Sequence, residues 1–301
     1  MENKKVIEEG WVSRWYSGEV GGSADNCIKR DVTDLLSLWQ AESGSELRSP
    51  IDLYALAHLR GCTVCDDHLP HGTVGMLVPS RAGFIIKIDS SKASRGRQRF
   101  TIAHEIAHTF FFKSDKDGRV IKAQRPIDLQ EEERLCNLAA ELILIPQALL
   151  ADSPYLRINK PTVGIILAAS KRFDVSREVA ARRLKAELPA LASIGFCEWI
   201  DRDYTRDKAG KSVQDDSSSP FVLSWIVSPY SKNGLNMPRR TKLANGSSIY
   251  ELLAGKRKSV EGTEVRVGAK LLATLGEGRI YTRENGKPSS VLCIVTSLTM
   301  V

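Results

Sequence analysis

The stretch "FTIAHEIAHTFFF", residues 100–112, decides how this chain is read. With its flanks, residues 97–113, it is apolar at helical period, and Thr101 is the expected N-cap. On a helix, residues four apart sit about 40° apart around the axis, so they share a face. His104 and His108 can therefore bring two imidazole nitrogens to within about 2 Å of one metal ion. Glu105 lies about 100° further round. It stands beside such an ion rather than on it, where a carboxylate can deprotonate a metal-activated water. The pattern is short, and the plain alternative is a buried helix with two satisfied histidines.

A catalytic zinc needs a third protein ligand and one open position. A second helix, "DLQEEERLCNLAAELILIP" (128–146), offers carboxylates at its start and ends at Pro146. Glu131, Glu132 and Glu133 begin it. Glu133, Asn137 and Ala140 follow one face, and the small Ala139 and Ala140 allow two helices to approach closely. With Glu133 as ligand, Asn137 one turn on is placed to hydrogen-bond a metal-bound histidine and fix its ring.

These two segments together resemble the ImmA/IrrE-type zinc metallopeptidases. Arg99, Phe100 and Thr101 match that family's lead-in to the His-Glu-x-x-His helix. Glu133, Cys136, Asn137, Ala140 and Pro146 match its second helix, with Cys136 where alanine is usual and Ala139 where phenylalanine is usual. The resemblance covers roughly residues 45–190. It implies that His104, His108 and Glu133 bind zinc and that Glu105 is the catalytic base, with Glu132 as the alternative third ligand. It implies Zn²⁺ as cofactor, with Mn²⁺ able to replace it in vitro. It further implies a narrow protein substrate, a helix-turn-helix transcriptional repressor whose cleavage derepresses stress-response or mobile-element genes.

Around the motifs, the first half reads as α+β. Helices are expected over 31–42 and 49–61, an extended segment from Cys62, and two strands over 72–89. "GFIIKID" (83–89) is the expected sheet edge for a substrate strand, or else a core strand. Residues 1–30 carry no readable fold. "LAASKRFDVSREVAARRLK" (167–185) has a helix-turn-helix pattern with Ser176 capping the second helix. Arg177, Arg182, Arg183 and Lys185 there suit DNA phosphates; the alternative is a packing module that completes the peptidase domain. Strands are expected at 221–230, 263–275 and 289–301, with a long loop at 201–220 and basic clusters at 236–242 and 255–259.

The expected organisation is a zincin-like domain with an N-terminal extension (1–154), a helix-turn-helix segment (155–190) and a C-terminal α/β domain (191–301). By its place in the domain order, the last resembles the GAF-like sensor domain of the family's radiation-response regulators.

Composition sets the outer bounds. At 301 residues, 42% hydrophobic and 26% charged, the chain has the profile of a globular protein. No apolar run reaches the roughly 20 residues needed to span a bilayer, and no signal-peptide core opens it. A cytoplasmic location is expected, with Cys27, Cys62, Cys65, Cys136, Cys197 and Cys293 reduced. "CTVC" (62–65) lacks a second pair to complete a metal site. The charge is uneven. Residues 1–154 carry a net −3, whereas 155–188 and 189–301 each carry +5. This pattern suits a polyanion partner, single- or double-stranded DNA, on the second half, with a solvated basic surface as the alternative. Two other readings stand beside the peptidase: a DNA-binding regulator or antitoxin-like module with little proteolysis, and a defence or toxin protease acting on a different target.

Overall fold

The computed structural model describes residues 9–80, 83–116, 119–123, 128–151, 162–188, 195–201, 221–227, 263–267, 271–282 and 288–300. The chain divides into two compact units, Met1–Ser153 with Ser170–Ser176, and Pro154–Ala169 with Arg177–Val301.

The first unit starts with helices α1 (Trp11–Tyr16), α2 (Ala24–Ser43) and α3 (Leu53–Leu59). Ser23 caps α2 through the N–H of Asn26, and Asp52 caps α3 through those of Tyr54 and Ala55. The short α1 has no local side-chain cap. Its first two N–H groups are taken by a residue of the next helix. Trp11 N donates to Asp31 Oδ1 (2.6 Å) and Val12 N to Oδ2 (2.8 Å). A Cβ on Gly10 would lie 2.6 Å from that same Oδ1, so only glycine lets the carboxylate in.

Strands β1 (Cys62–Asp66), β2 (Gly75–Ser80) and β3 (Gly83–Ile88) follow. Their spatial order is β1-β3-β2. β3 pairs parallel with β1, Cys62 against Phe84, and antiparallel with β2, Gly75 against Ile88. Segment 83–89 is therefore the central strand and not an edge, and Phe84, Ile86 and Ile88 are buried. The edge on the hairpin side is β2. Pro79, which has no N–H to give a further partner, sits near its end.

Helix α4 (Arg95–His108) carries the first motif and passes through a 3₁₀ turn into β4 (Phe112–Ser114). It starts two turns earlier than expected. Ser94 is the N-cap position and Thr101 is interior. Charged residues extend it because they have partners: Arg95 and Arg99 meet Asp174 at 2.7 and 3.6 Å, and Arg99 also donates to the Ile51 carbonyl. β4 pairs with β5 (Val120–Lys122), a hairpin the sequence did not announce. Helix α5 (Leu129–Leu144) begins at Asp128, which accepts from Gln130 N, and α6 (Gln147–Ala151) follows.

α4 packs on α5. Ile102, Ala103, Ile106 and Ala107 of α4 and Leu135, Cys136, Ala139, Ala140 and Ile143 of α5 are all buried. The small residues let the two backbones approach closely.

Helices α7 (Val163–Phe173) and α8 (Arg177–Glu187) flank a three-residue turn. Asp174 there adopts a left-handed φ of 53°. Strands β6 (Gly195–Asp201), β7 (Phe221–Val227), β8 (Thr263–Val267), β9 (Leu271–Thr282) and β10 (Pro288–Met300) form an antiparallel sheet in the order β7-β6-β10-β9-β8. The stretch expected as one strand over 263–275 is divided between β8 and β9. Residues 202–220 of the expected loop and both basic clusters lie outside the described residues. Among the described residues beyond 195, every element is a strand.

Candidate metal centre

His104 and His108 stand on the last turn and a half of α4, and Glu133 on the second turn of α5. Their ligand atoms converge. His104 Nε2 is 3.1 Å from His108 Nε2 and 3.2 Å from Glu133 Oε2, and His108 Nε2 is 3.5 Å from Glu133 Oε1. Four ligands about 2.0–2.1 Å from a tetrahedral zinc have edges of about 3.3 Å. The separations observed, from one histidine to each oxygen of the Glu133 carboxylate and between the two imidazoles, are close to that length, so this donor set fits zinc. It is the one such group of three or more metal-ligating side chains among the described residues. The histidine side chains are 14% and 17% exposed and that of Glu133 is 57% exposed, so the site opens to solvent at Glu133.

The surroundings push the two imidazoles in opposite directions. Burial pulls His104 below its ordinary proton affinity, and the neighbouring His108 pulls it further. Its Nδ1 is buried and meets no partner at hydrogen-bond geometry. Asn137, one turn beyond Glu133, stands close enough to raise its proton affinity, in the supporting place expected for it. Burial also acts against protonation of His108. There the hydrogen bond to Glu132 and the charges of Glu105 and Glu133 win, and the net shift is upward.

Glu105 is buried. Burial pushes its carboxyl up to about 7, with Glu133 adding to the rise, while His108 and the N–H of Leu77 pull it down. A carboxyl poised there can both accept and return a proton near neutral pH. The edge strand β2 makes room for it. A Cβ on Gly75 would collide with Thr101 Cγ2 and lie 3.1 Å from Glu105 Oε1. Glycine at 75 is thus what lets the strand reach the Thr101 and Glu105 face of α4.

Glu132, the alternative third ligand, is assigned elsewhere. It accepts from His108 Nδ1 at 3.1 Å, on the side of the ring away from the converging nitrogens, and from Lys122 Nζ at 2.9 Å. One residue along a helix turns the side chain by about 100°, which separates the two glutamates. Tyr16 and Lys122, both at this carboxylate, escaped the sequence reading. They lie far from the motif in sequence, and no local pattern marks them.

The three arginines of α8 expected to contact DNA pair with carboxylates of their own unit. Arg183 is 2% exposed and pairs with Glu187. Arg177 pairs with Glu198, and Arg182 with Glu178 at 3.2 Å. Lys185 is partly buried, and burial lowers its proton affinity. Arg183 is therefore not a surface phosphate contact: the helix carries Val179, Ala180, Ala181 and Leu184 into the core and takes this arginine with them.

A helix with paired histidines, a carboxylate from a second helix and a buried glutamate beside an edge strand are consistent with a metallopeptidase type of site. Residues 66–185 match the family described as the IrrE N-terminal-like domain, a peptidase family. The radiation response metalloprotease IrrE of Deinococcus radiodurans is 33% identical over 110 residues, 36% of this chain and 33% of that protein. The match thus spans about a third of the relative's length. A solved Mycobacterium tuberculosis transcriptional regulator aligns at 14% identity with a TM-score of 0.42, over 96% of this chain and 80% of that one. At that score it adds nothing to the account of fold or function. Among the described residues, no helix is long and apolar enough to cross a membrane.

Proposed function

We propose that the chain is a zinc-dependent endopeptidase with Glu105 as its general base. The observation that carries this reading is the convergence of the His104 and His108 ring nitrogens and the Glu133 carboxylate, 3.1–3.5 Å apart, with Glu105 buried beside them. Bound there, zinc supplies Lewis-acid polarisation of the scissile carbonyl and of the attacking water. Glu105 takes the proton of that water and returns it to the departing amine. A carboxyl with a pKa of about 7 suits both halves of that exchange. Mn²⁺ is expected to support activity in vitro.

The substrate lies as an extended strand beside β2. Its edge faces the site, because the N–H of Leu77 contributes a hydrogen bond to Glu105. We take the substrate to be a helix-turn-helix repressor whose cleavage derepresses stress-response or mobile-element genes. The family resemblance supports this, as does the radiation-response role in the relative's name. DNA as an activating ligand has its support in the net +5 of residues 189–301, and not in the paired arginines of α8.

The test is a digestion. The purified, zinc-loaded chain is incubated with helix-turn-helix repressors encoded beside it, with and without DNA, in parallel with Glu105→Gln. Site-specific cleavage by the wild type alone supports the reading. No cleavage of any such repressor, together with tight salt-dependent DNA binding, turns it toward a DNA-binding regulator.

A further inference from the structure

Glu132 is nearly fully buried, its side chain 5% exposed, and three donors from three separate elements meet on it. His108 Nδ1 reaches Oε1 at 3.1 Å. Lys122 Nζ, from the end of β5, bridges both oxygens at 2.9 and 2.8 Å. The hydroxyl of Tyr16, from α1, donates to Oε2 at 3.4 Å. Tyr16 is itself locked. It is 2% exposed, its ring packs edge-on against Phe111 at 5.2 Å, and Asp31 pins the start of its helix.

An imidazole can offer either nitrogen to a metal, and a ligating histidine is fixed by what holds its other nitrogen. For His108 that partner is Glu132. A buried carboxylate with only an imidazole for company would carry uncompensated charge and be free to swing. The ammonium of Lys122 balances it and the Tyr16 hydroxyl takes up Oε2.

We propose that Glu132, Lys122 and Tyr16 are positioning residues of the metal centre, holding His108 with Nδ1–H on the carboxylate and the Nε2 lone pair toward the ion. The N-terminal α1 and the β4–β5 hairpin are then working parts of the site. This inference rests on the reading of His104, His108 and Glu133 as metal ligands.

The test measures metal affinity without using catalysis. Zinc dissociation constants are obtained on the full chain by competition with a chromophoric chelator, and cobalt-substituted protein gives the visible ligand-field spectrum. The variants are Glu132→Leu, Glu132→Gln, Lys122→Met and Tyr16→Phe. Loss of such a partner typically weakens a metal about 10–100-fold. That loss is expected for Glu132→Leu, with a changed cobalt spectrum. Glu132→Gln, which keeps an acceptor for Nδ1–H, recovers part of it. Lys122→Met falls between the two. Tyr16→Phe keeps the ring packing and loses a long hydrogen bond, so its shift is about two- to threefold. Should Glu132→Leu fail to fold, Lys122→Met decides. Zinc affinity and cobalt spectra equal to wild type in the folded variants overturn the inference and leave the metal reading intact. A wild type that binds no zinc overturns both.

Discussion

Glu105 is the residue on which the proposed chemistry turns, and its setting separates its role from that of its neighbours. It is buried, it touches the edge strand, and its carboxyl sits outside the trio of converging ligand atoms. Glu105→Gln should keep its zinc and lose hydrolysis by about 10²–10⁴-fold, the usual worth of a general acid–base. A variant that loses zinc and activity together would make Glu105 a ligand or a packing residue. Gly75→Ala probes the same contact from the strand. The added methyl must displace Thr101 or β2, an overpacking cost of about 1–3 kcal/mol. Thermal unfolding should register that cost, and turnover should fall while zinc content holds.

Among the elements, α1 is the one whose position depends most on a single side chain. Asp31 accepts both of its first N–H groups from within the core, and burial pushes that carboxyl from 3.8 up to about 6. Folded protein therefore binds this proton more tightly than the unfolded chain does. Between about pH 4 and pH 6 the native state holds more protons, and the stability Asp31 contributes falls as pH rises through that window. Asparagine has no such dependence. Urea midpoints of wild type should drop relative to those of Asp31→Asn as pH rises from about 4 to about 6.5. Parallel profiles would contradict the burial argument.

The elements also show what the sequence could and could not reveal. The two motif helices were legible because apolar period, capping signals and ligand spacing coincide in each. The start of α4 was not, because "SRGRQR" is polar and its helical state depends on Asp174 and the Ile51 carbonyl, distant in sequence. The central place of β3 was hidden for a related reason. A hairpin reading pairs β2 with β3 but is blind to the parallel pairing with β1. Tyr16 had no local signal at all, since its role exists only once α1 docks near α5. Glu132 and Glu133 are adjacent in a run of three, and only the rotation of a folded helix sends one carboxylate to the paired Nε2 atoms and the other to His108 Nδ1.

At the scale of the molecule, two helices from one unit supply every candidate ligand, so metal binding and folding of that unit are coupled. Chelation should lower the thermal midpoint of the wild type by several degrees, because zinc binds only the folded form. It should do so far less in His104→Ala. The second unit has no residue at the site among those described.

The most direct test of the central claim is zinc content by elemental analysis, on wild type beside His104→Ala, His108→Ala and Glu133→Gln. The account predicts about one zinc per chain in the wild type and its loss in each variant. A wild type that takes up no zinc when it is supplied, or a Glu133→Gln protein that holds it as tightly as wild type, would contradict the assignment.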